Sequence, residues 1–149
     1  MKVRLLVKKE NKEQIMKDIL NGNIEFTDDG DFLLVEENFK KEEIVGRIDD
    51  SLELIRPLEI IYVESYDQVS NCITTKGKYQ IKEKLYEIEN LFYEQGLIRV
   101  SKSYVINKNM IDKIKVASFN MKFLLRMKNG FQIDVTRSYY YKFKEYIGL

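Results

Sequence analysis

The chain has 149 residues, 44% hydrophobic, 12% aromatic and 33% charged, with a formal net charge of +1. That is enough apolar material for a core, and the charge is too mixed in sign for a disordered polyelectrolyte. With no His and one Cys, a His-based catalytic triad, a zinc site of the usual ligand types and an internal disulfide are all excluded, and a reducing, cytoplasmic setting is the expectation.

The small net charge hides an asymmetry. Residues 1–55 carry 9 Lys and Arg against 14 Asp and Glu, a net of −5, whereas residues 97–149 carry 11 against 3, a net of +8. An acidic start and a basic end point to two units with different partners, the basic one suited to an anionic polymer such as nucleic acid. No apolar run approaches the ~20 residues of a membrane-spanning helix, and the N-terminus lacks a signal-peptide pattern.

In chain order, Lys2 to Val7 reads as a strand and Lys8 to Asn21 as a helix with Ile15, Ile19 and Leu20 on one stripe, ended by Asn21-Gly22. Ile24 to Phe26 and Phe32 to Val35 flank the acidic turn around Gly30, a hairpin signal without the spacing of a calcium loop. Glu36 to Glu43 is a charged linker. Ile44 to Ile48 and Ser51 to Ile55 flank Asp49-Asp50, a second hairpin. Pro57 breaks the chain before a strand at Ile60 to Val63, and Val69 to Thr75 and Lys78 to Ile81 continue the strands.

Glu83 to Glu94 is the clearest helix. Leu85, Ile88, Leu91 and Phe92 share one face, Glu83, Glu87 and Glu89 are assigned to the wet one, and Gly96 stops it. Strands follow at Met110 to Val116 and Met121 to Met127. Asn129-Gly130 is the strongest hairpin turn in the chain, Phe131 to Val135 alternates as a half-buried strand should, and Arg137 to Gly148 reads as a closing helix. The whole is mostly β, built of small antiparallel sheets with a packing helix, and preceded by a small α+β N-terminal piece. The expected division is an acidic region at 1–43 and a basic domain at 44–149.

Residues 97–109 are the centre of the basic segment. Leu97, Ile98 and Val100 lead into a polar corner, and Tyr104, Val105 and Ile106 lead out. Such a corner buries its flanks and is expected to push Arg99, Lys102, Ser101 and Ser103 outward. Lys102 and Lys108 are candidate phosphate contacts. Arg99 has an alternative structural role, paired with Glu94 or Asp134. Asn107 suits the exit turn, because its side chain can bond nearby backbone. Tyr140 is expected in the core, and Cys72, in an apolar stretch, reads as a buried small hydrophobe. No convergent acid, base and nucleophile can be assembled, so no enzyme and no cofactor are expected.

Several pieces stand in a telling order: Ile60-Ile61-Tyr62-Val63-Glu64-Ser65, Thr75-Lys76-Gly77-Lys78, Lys82 to Glu89, Ile98 to Asn107, Asn129-Gly130 and Val135-Thr136-Arg137-Ser138-Tyr139. Together they resemble the LytTR DNA-binding domain over roughly residues 45–149. The resemblance implies a bacterial transcription regulator, here without a receiver domain. It would read successive major grooves of double-stranded DNA through loops rather than a recognition helix, as a homodimer on paired AT-rich repeats. It also implies three DNA-facing segments, which in this chain are the stretch near Gln68, the corner holding Arg99, Ser101, Lys102, Asn107 and Lys108, and the segment with Thr136, Arg137 and Tyr139. The family's usual His-Arg at the corner is Ser101-Lys102 here. Lys is a flexible point charge rather than a rigid fork, so Lys102 is assigned to phosphate and Arg137 to a base. An alternative reading makes the chain a protein-interaction module whose basic domain is sequestered by an acidic partner or by a membrane-protein inhibitor encoded nearby.

Overall fold

The computed structural model of the chain describes residues 9–25, 41–117 and 122–149. It divides into two units, Met1–Leu34 and Val35–Leu149. In the first, α1 (Lys9–Leu20) forms where the helix was expected, closed by Gly22 at a φ of +69°. The strand expected at residues 2–7, the hairpin around Gly30 and most of the charged linker lie outside the described residues.

The second unit is mostly β. Strands β1 (Ile44–Ile48), β2 (Ser51–Ile55), β3 (Ile60–Tyr66), β4 (Val69–Thr74), β5 (Lys78–Ile81), β6 (Leu97–Arg99) and β7 (Tyr104–Asn107) form one antiparallel sheet in the order β2-β1-β5-β4-β3-β7-β6. Strands β8 (Ile111–Ala117), β9 (Lys122–Met127) and β10 (Gln132–Val135) form a second antiparallel sheet with β9 in the middle. Two helices complete the unit, α2 (Leu85–Phe92) and α3 (Tyr140–Tyr146). Among the described residues no helix is long and apolar enough to cross a membrane.

The larger sheet carries a core on each face. Leu85, Ile88 and Phe92 of α2 close the first core over Ile60, Val63, Cys72, Leu97 and Val105. The second holds Ile61, Tyr62, Ile98 and Ile106 against Phe123, Leu125 and Ile133 of the smaller sheet and Phe143 of α3. Period-two alternation explains β6 and β7, where neighbours Leu97/Ile98 and Val105/Ile106 go to opposite faces. Strand β3 breaks that period. Ile60 and Val63 share one face although three positions apart, because the register with β4 slips between Ile60 and Tyr62. This bulge gives β3 an extra residue and lets Ile60–Val63 be apolar throughout. Full burial of each such side chain contributes roughly 1.5–3 kcal/mol.

Aromatic rings tie the layers together. Phe131, in the β9–β10 turn, stacks on Tyr62 of β3 at 5.0 Å, and Phe123 stacks on Tyr140 at 4.6 Å. The Asn129-Gly130 turn has Gly130 at a φ of +85°, with the Asn129 carboxamide oxygen accepting the Phe131 N–H at 3.2 Å.

Two helix expectations are corrected. The expected helix at 83–94 is α over Leu85–Phe92 and continues as a 3-10 turn over Tyr93–Gln95. Glu83 therefore precedes it and does not share its wet face. It is 2% exposed, with Oε1 3.3 Å from the Lys41 ammonium. The closing helix likewise starts as a 3-10 turn at Arg137–Tyr139 and becomes α3 only at Tyr140.

Asn107 is the polar staple of the first core. It is fully buried, and its amide donates to the Pro57 carbonyl at 3.2 Å and the Ile60 carbonyl at 2.9 Å. Its oxygen accepts the Asn109 N–H at 3.0 Å. Gly96 leaves room for this, since a Cβ there would stand 2.8 Å from Asn109 Nδ2 and 3.0 Å from Asn107 Oδ1, at a φ of +108°. Asn107→Ala leaves two carbonyls without their donor and is expected to cost about 3 kcal/mol, read as a lower urea midpoint. An unchanged midpoint would contradict the staple role. Burial, with a smaller push from Glu83, raises the Cys72 thiol to about 12. Native protein at pH 8 is therefore expected to resist alkylation until the sheet opens. Rapid labelling of folded protein would contradict that burial.

Candidate nucleic-acid interface

The corner between β6 and β7 is closed by its own polar groups. The Val100 N–H donates to the Tyr104 carbonyl at 3.0 Å. The Ser101 hydroxyl oxygen accepts the N–H groups of Ser103 at 3.1 Å and Tyr104 at 3.0 Å. Arg99 folds beneath the turn, with Nε donating to the Ser101 carbonyl and Nη2 to the Lys102 carbonyl, both at 3.0 Å. These bonds close the turn and leave Lys102 exposed at its tip.

The same corner accepts the two neighbouring segments. The Ser65 N–H, near the end of β3, donates to the Ser103 carbonyl at 2.9 Å. The Thr136 N–H, just past β10, donates to the Val100 carbonyl at 3.0 Å. Three stretches far apart in sequence are thus joined by backbone hydrogen bonds: the end of β3, the corner, and the entry to α3. Ser65 and Val100 supply this joint through main-chain atoms, which no side-chain pattern could have signalled.

The β3–β4 turn is two residues long, Asp67 and Gln68, at φ of +47° and +63°. Both central residues in the left-handed region match the right-handed twist of a hairpin. Without glycine that conformation costs roughly 1–2 kcal/mol per residue. The Lys84 ammonium donates to the Gln68 carbonyl at 3.1 Å and braces the turn.

Of the residues expected to face outward, Gln68, Lys102, Thr136 and Arg137 are exposed and stand on the joined segments or the turn next to them. Tyr139 is half-buried, with part of its ring against the second core. Four DNA-facing assignments are at odds with the structure, although Asn107 does take the exit-turn role, its side chain accepting the Asn109 N–H. Ser101 is only 6% exposed, because its hydroxyl is enclosed by the turn it caps. Arg99 pairs with neither Glu94 nor Asp134; it holds the carbonyls of Ser101 and Lys102. Asn107 is wholly internal. Lys108 lies past the opposite end of β7 from the corner, its ammonium 4.8 Å above the Tyr146 ring.

Ion pairs sort the basic segment further. Lys122 is bound to Asp134 at 2.6 Å, Arg126 to Asp112 at 2.5 Å, and Lys142 to Glu89. Lys102 and Arg137 have no carboxylate at salt-bridge distance among the described residues, so their charge remains available to an anion. Beside the corner, burial holds the Tyr104 phenol above its ordinary range, with Glu64 adding to the shift and Lys78 opposing it. Tyr104 is a neutral hydrogen-bonding group at physiological pH. Among the described residues no cluster of acidic or Cys side chains is arranged to hold a metal.

The chain is similar to known proteins over this same unit. It is 30% identical over 102 residues to the transcriptional regulatory protein LytR of Staphylococcus aureus (strain N315), an alignment covering 68% of this chain and 41% of that protein. The chain thus spans well under half the length of that relative. It is 33% identical over 75 residues, half of each chain, to an uncharacterised HTH-type transcriptional regulator of Staphylococcus aureus (strain NCTC 8325 / PS 47). A solved LytTr DNA-binding domain of a putative methyl-accepting/DNA response regulator from Bacillus cereus superposes with a TM-score of 0.68 at 26% identity, over 73% of this chain and 99% of that one. The LytTr DNA-binding domain family profile matches residues 50–148. From the two-faced sheet to the joined corner, the chain belongs to the LytTr DNA-binding domain family.

Proposed function

We propose that the chain is a sequence-specific, non-enzymatic DNA-binding transcription regulator that reads successive major grooves through the joined segments. The observation that carries this reading is the pair of backbone bonds, Ser65 to Ser103 and Thr136 to Val100, that set exposed cationic and polar side chains on one rigid assembly. Family membership supports the ligand class. In this reading Lys102 anchors a phosphate, Arg137 forks onto guanine O6 and N7, Gln68 reads a base edge from the strained turn, and Thr136 and the exposed part of Tyr139 meet the backbone. A helix-borne readout is not needed, because Arg137 opens on a 3-10 turn and α2 has its apolar face in the first core. The reading includes two copies of the chain on paired AT-rich repeats. We place the DNA-facing domain at residues 44–149, preceded by a small acidic region at 1–43.

Affinity for a duplex selected in vitro by the chain is expected to fall steeply and log-linearly with salt. A flat dependence, or no binding at low salt, would overturn the reading. Arg137→Ala is expected to lower specific affinity by roughly 1–3 kcal/mol while scrambled duplex loses much less. Equal losses on both duplexes would reduce Arg137 to a phosphate contact. Gln68→Gly separates folding from binding. Glycine relieves the left-handed strain, so thermal stability is expected to rise by about 1 kcal/mol or less while specific affinity falls. Unchanged affinity in the stabilised variant would remove Gln68 from the interface.

A further inference from the structure

We infer that the outer face of β8 and β9 is a second, sequence-independent DNA contact, a phosphate-binding surface carried by Lys113 and Lys115. This rests on the DNA-binding reading above and extends its footprint.

The two sides of the smaller sheet differ sharply in chemistry. Ile114, Leu125 and Ile133 are paired across it and pack into the second core. The opposite side is exposed and polar apart from the half-buried Leu124. There Lys113 pairs across to Arg126 and on to Gln132, and Lys115 pairs to Leu124 and on to Asp134. Lys113, Lys115, Leu124, Arg126 and Gln132 line a shallow open hollow.

The charges on this side are unequally satisfied. Arg126 is held by Asp112 and Lys122 by Asp134. Among the described residues Lys113 and Lys115 have no carboxylate at salt-bridge distance, although both are exposed. Four cations face two carboxylates, and the excess sits on β8. As residues i and i+2 of a strand, Lys113 and Lys115 stand about 6.7 Å apart on one side. That spacing is comparable to successive phosphates along one DNA strand. Lysine is a flexible point charge without a fork, which suits phosphate rather than a base edge. The lysines stand on the sheet whose last strand leads into Thr136 and Arg137, which favours DNA as the occupant.

The strand that borders the hollow at Gln132 also leads into the reading segment. Strand β10 runs from Gln132 through Val135 directly into Thr136 and Arg137. The row of Lys115 lies one residue from Val135 and the row of Lys113 three residues, roughly 3 and 10 Å along the sheet.

The test uses the full chain with two duplexes of equal length, one selected in vitro by the wild type and one scrambled. The double variant Lys113→Gln/Lys115→Gln is expected to shallow the log-log salt slope by about 2 and to weaken both duplexes alike, by roughly ten- to a hundredfold near about 0.1 M salt. Each single variant is expected to shallow it by about 1, and the Lys113→Arg/Lys115→Arg variant to restore it. An unchanged slope in a double variant of unaltered melting temperature overturns the inference, as does a loss confined to the selected duplex. An unchanged slope with lost binding to polyglutamate overturns it in favour of an acidic-protein site. If Arg137→Ala narrows the discrimination between the duplexes as expected while the lysine variants are silent, only this face fails; if the wild type binds neither duplex, the DNA reading itself fails.

Discussion

The Val100 carbonyl and the Ser101 hydroxyl hold the geometry on which the proposed interface depends. Val100 is fully buried, so its carbonyl needs a partner, and the Thr136 amide supplies it. Ser101 takes two amides of its own turn. These bonds fix where Lys102 and Arg137 stand relative to one another. In the proposed reading, a ligand touching both would meet segments already joined through their backbones, which lowers the ordering cost of binding.

The same economy runs through the fold. A sheet with one core per face needs central strands that are apolar on both sides, and β3 achieves this with a single extra residue near Ile61. Asn107 then closes the polar gap that the bulge and the Pro57 turn create, by giving both amide hydrogens to their carbonyls. Its neighbour Lys108 is drawn to Tyr146 by the same turn, away from the corner. The residues that look most like ligand contacts in a linear reading thus divide into those that build the corner and those that project from it.

Local chemistry made much of this legible. Hairpins at Asp49-Asp50 and Asn129-Gly130, the apolar stripe of α2 and the stop at Gly96 each follow from a few neighbouring residues. The family was readable from six short pieces in order, because their spacing reflects the sheet. The roles of polar residues inside those pieces were not. Alternation places Ser101 and Asn107 on a strand or turn, yet only the fold decides whether a polar group turns inward to a backbone partner. Arg99 shows the same limit: its partners are carbonyls two and three residues away, where charge alone pointed to carboxylates. Glu83 fits the wet face of a helix that starts at 83, but α2 starts two residues later, and those two residues separate an exposed carboxylate from a buried one.

The central claim is that segments distant in sequence act as one DNA-facing surface. Backbone amide NMR of the full chain, titrated with its selected duplex, tests this most directly. Amides at 66–69, 101–104 and 136–139 are expected to shift together at one stoichiometry, with β2 and the solvent side of α2 silent. Shifts concentrated on α2 or β2, or confined to one of the three segments, would contradict it.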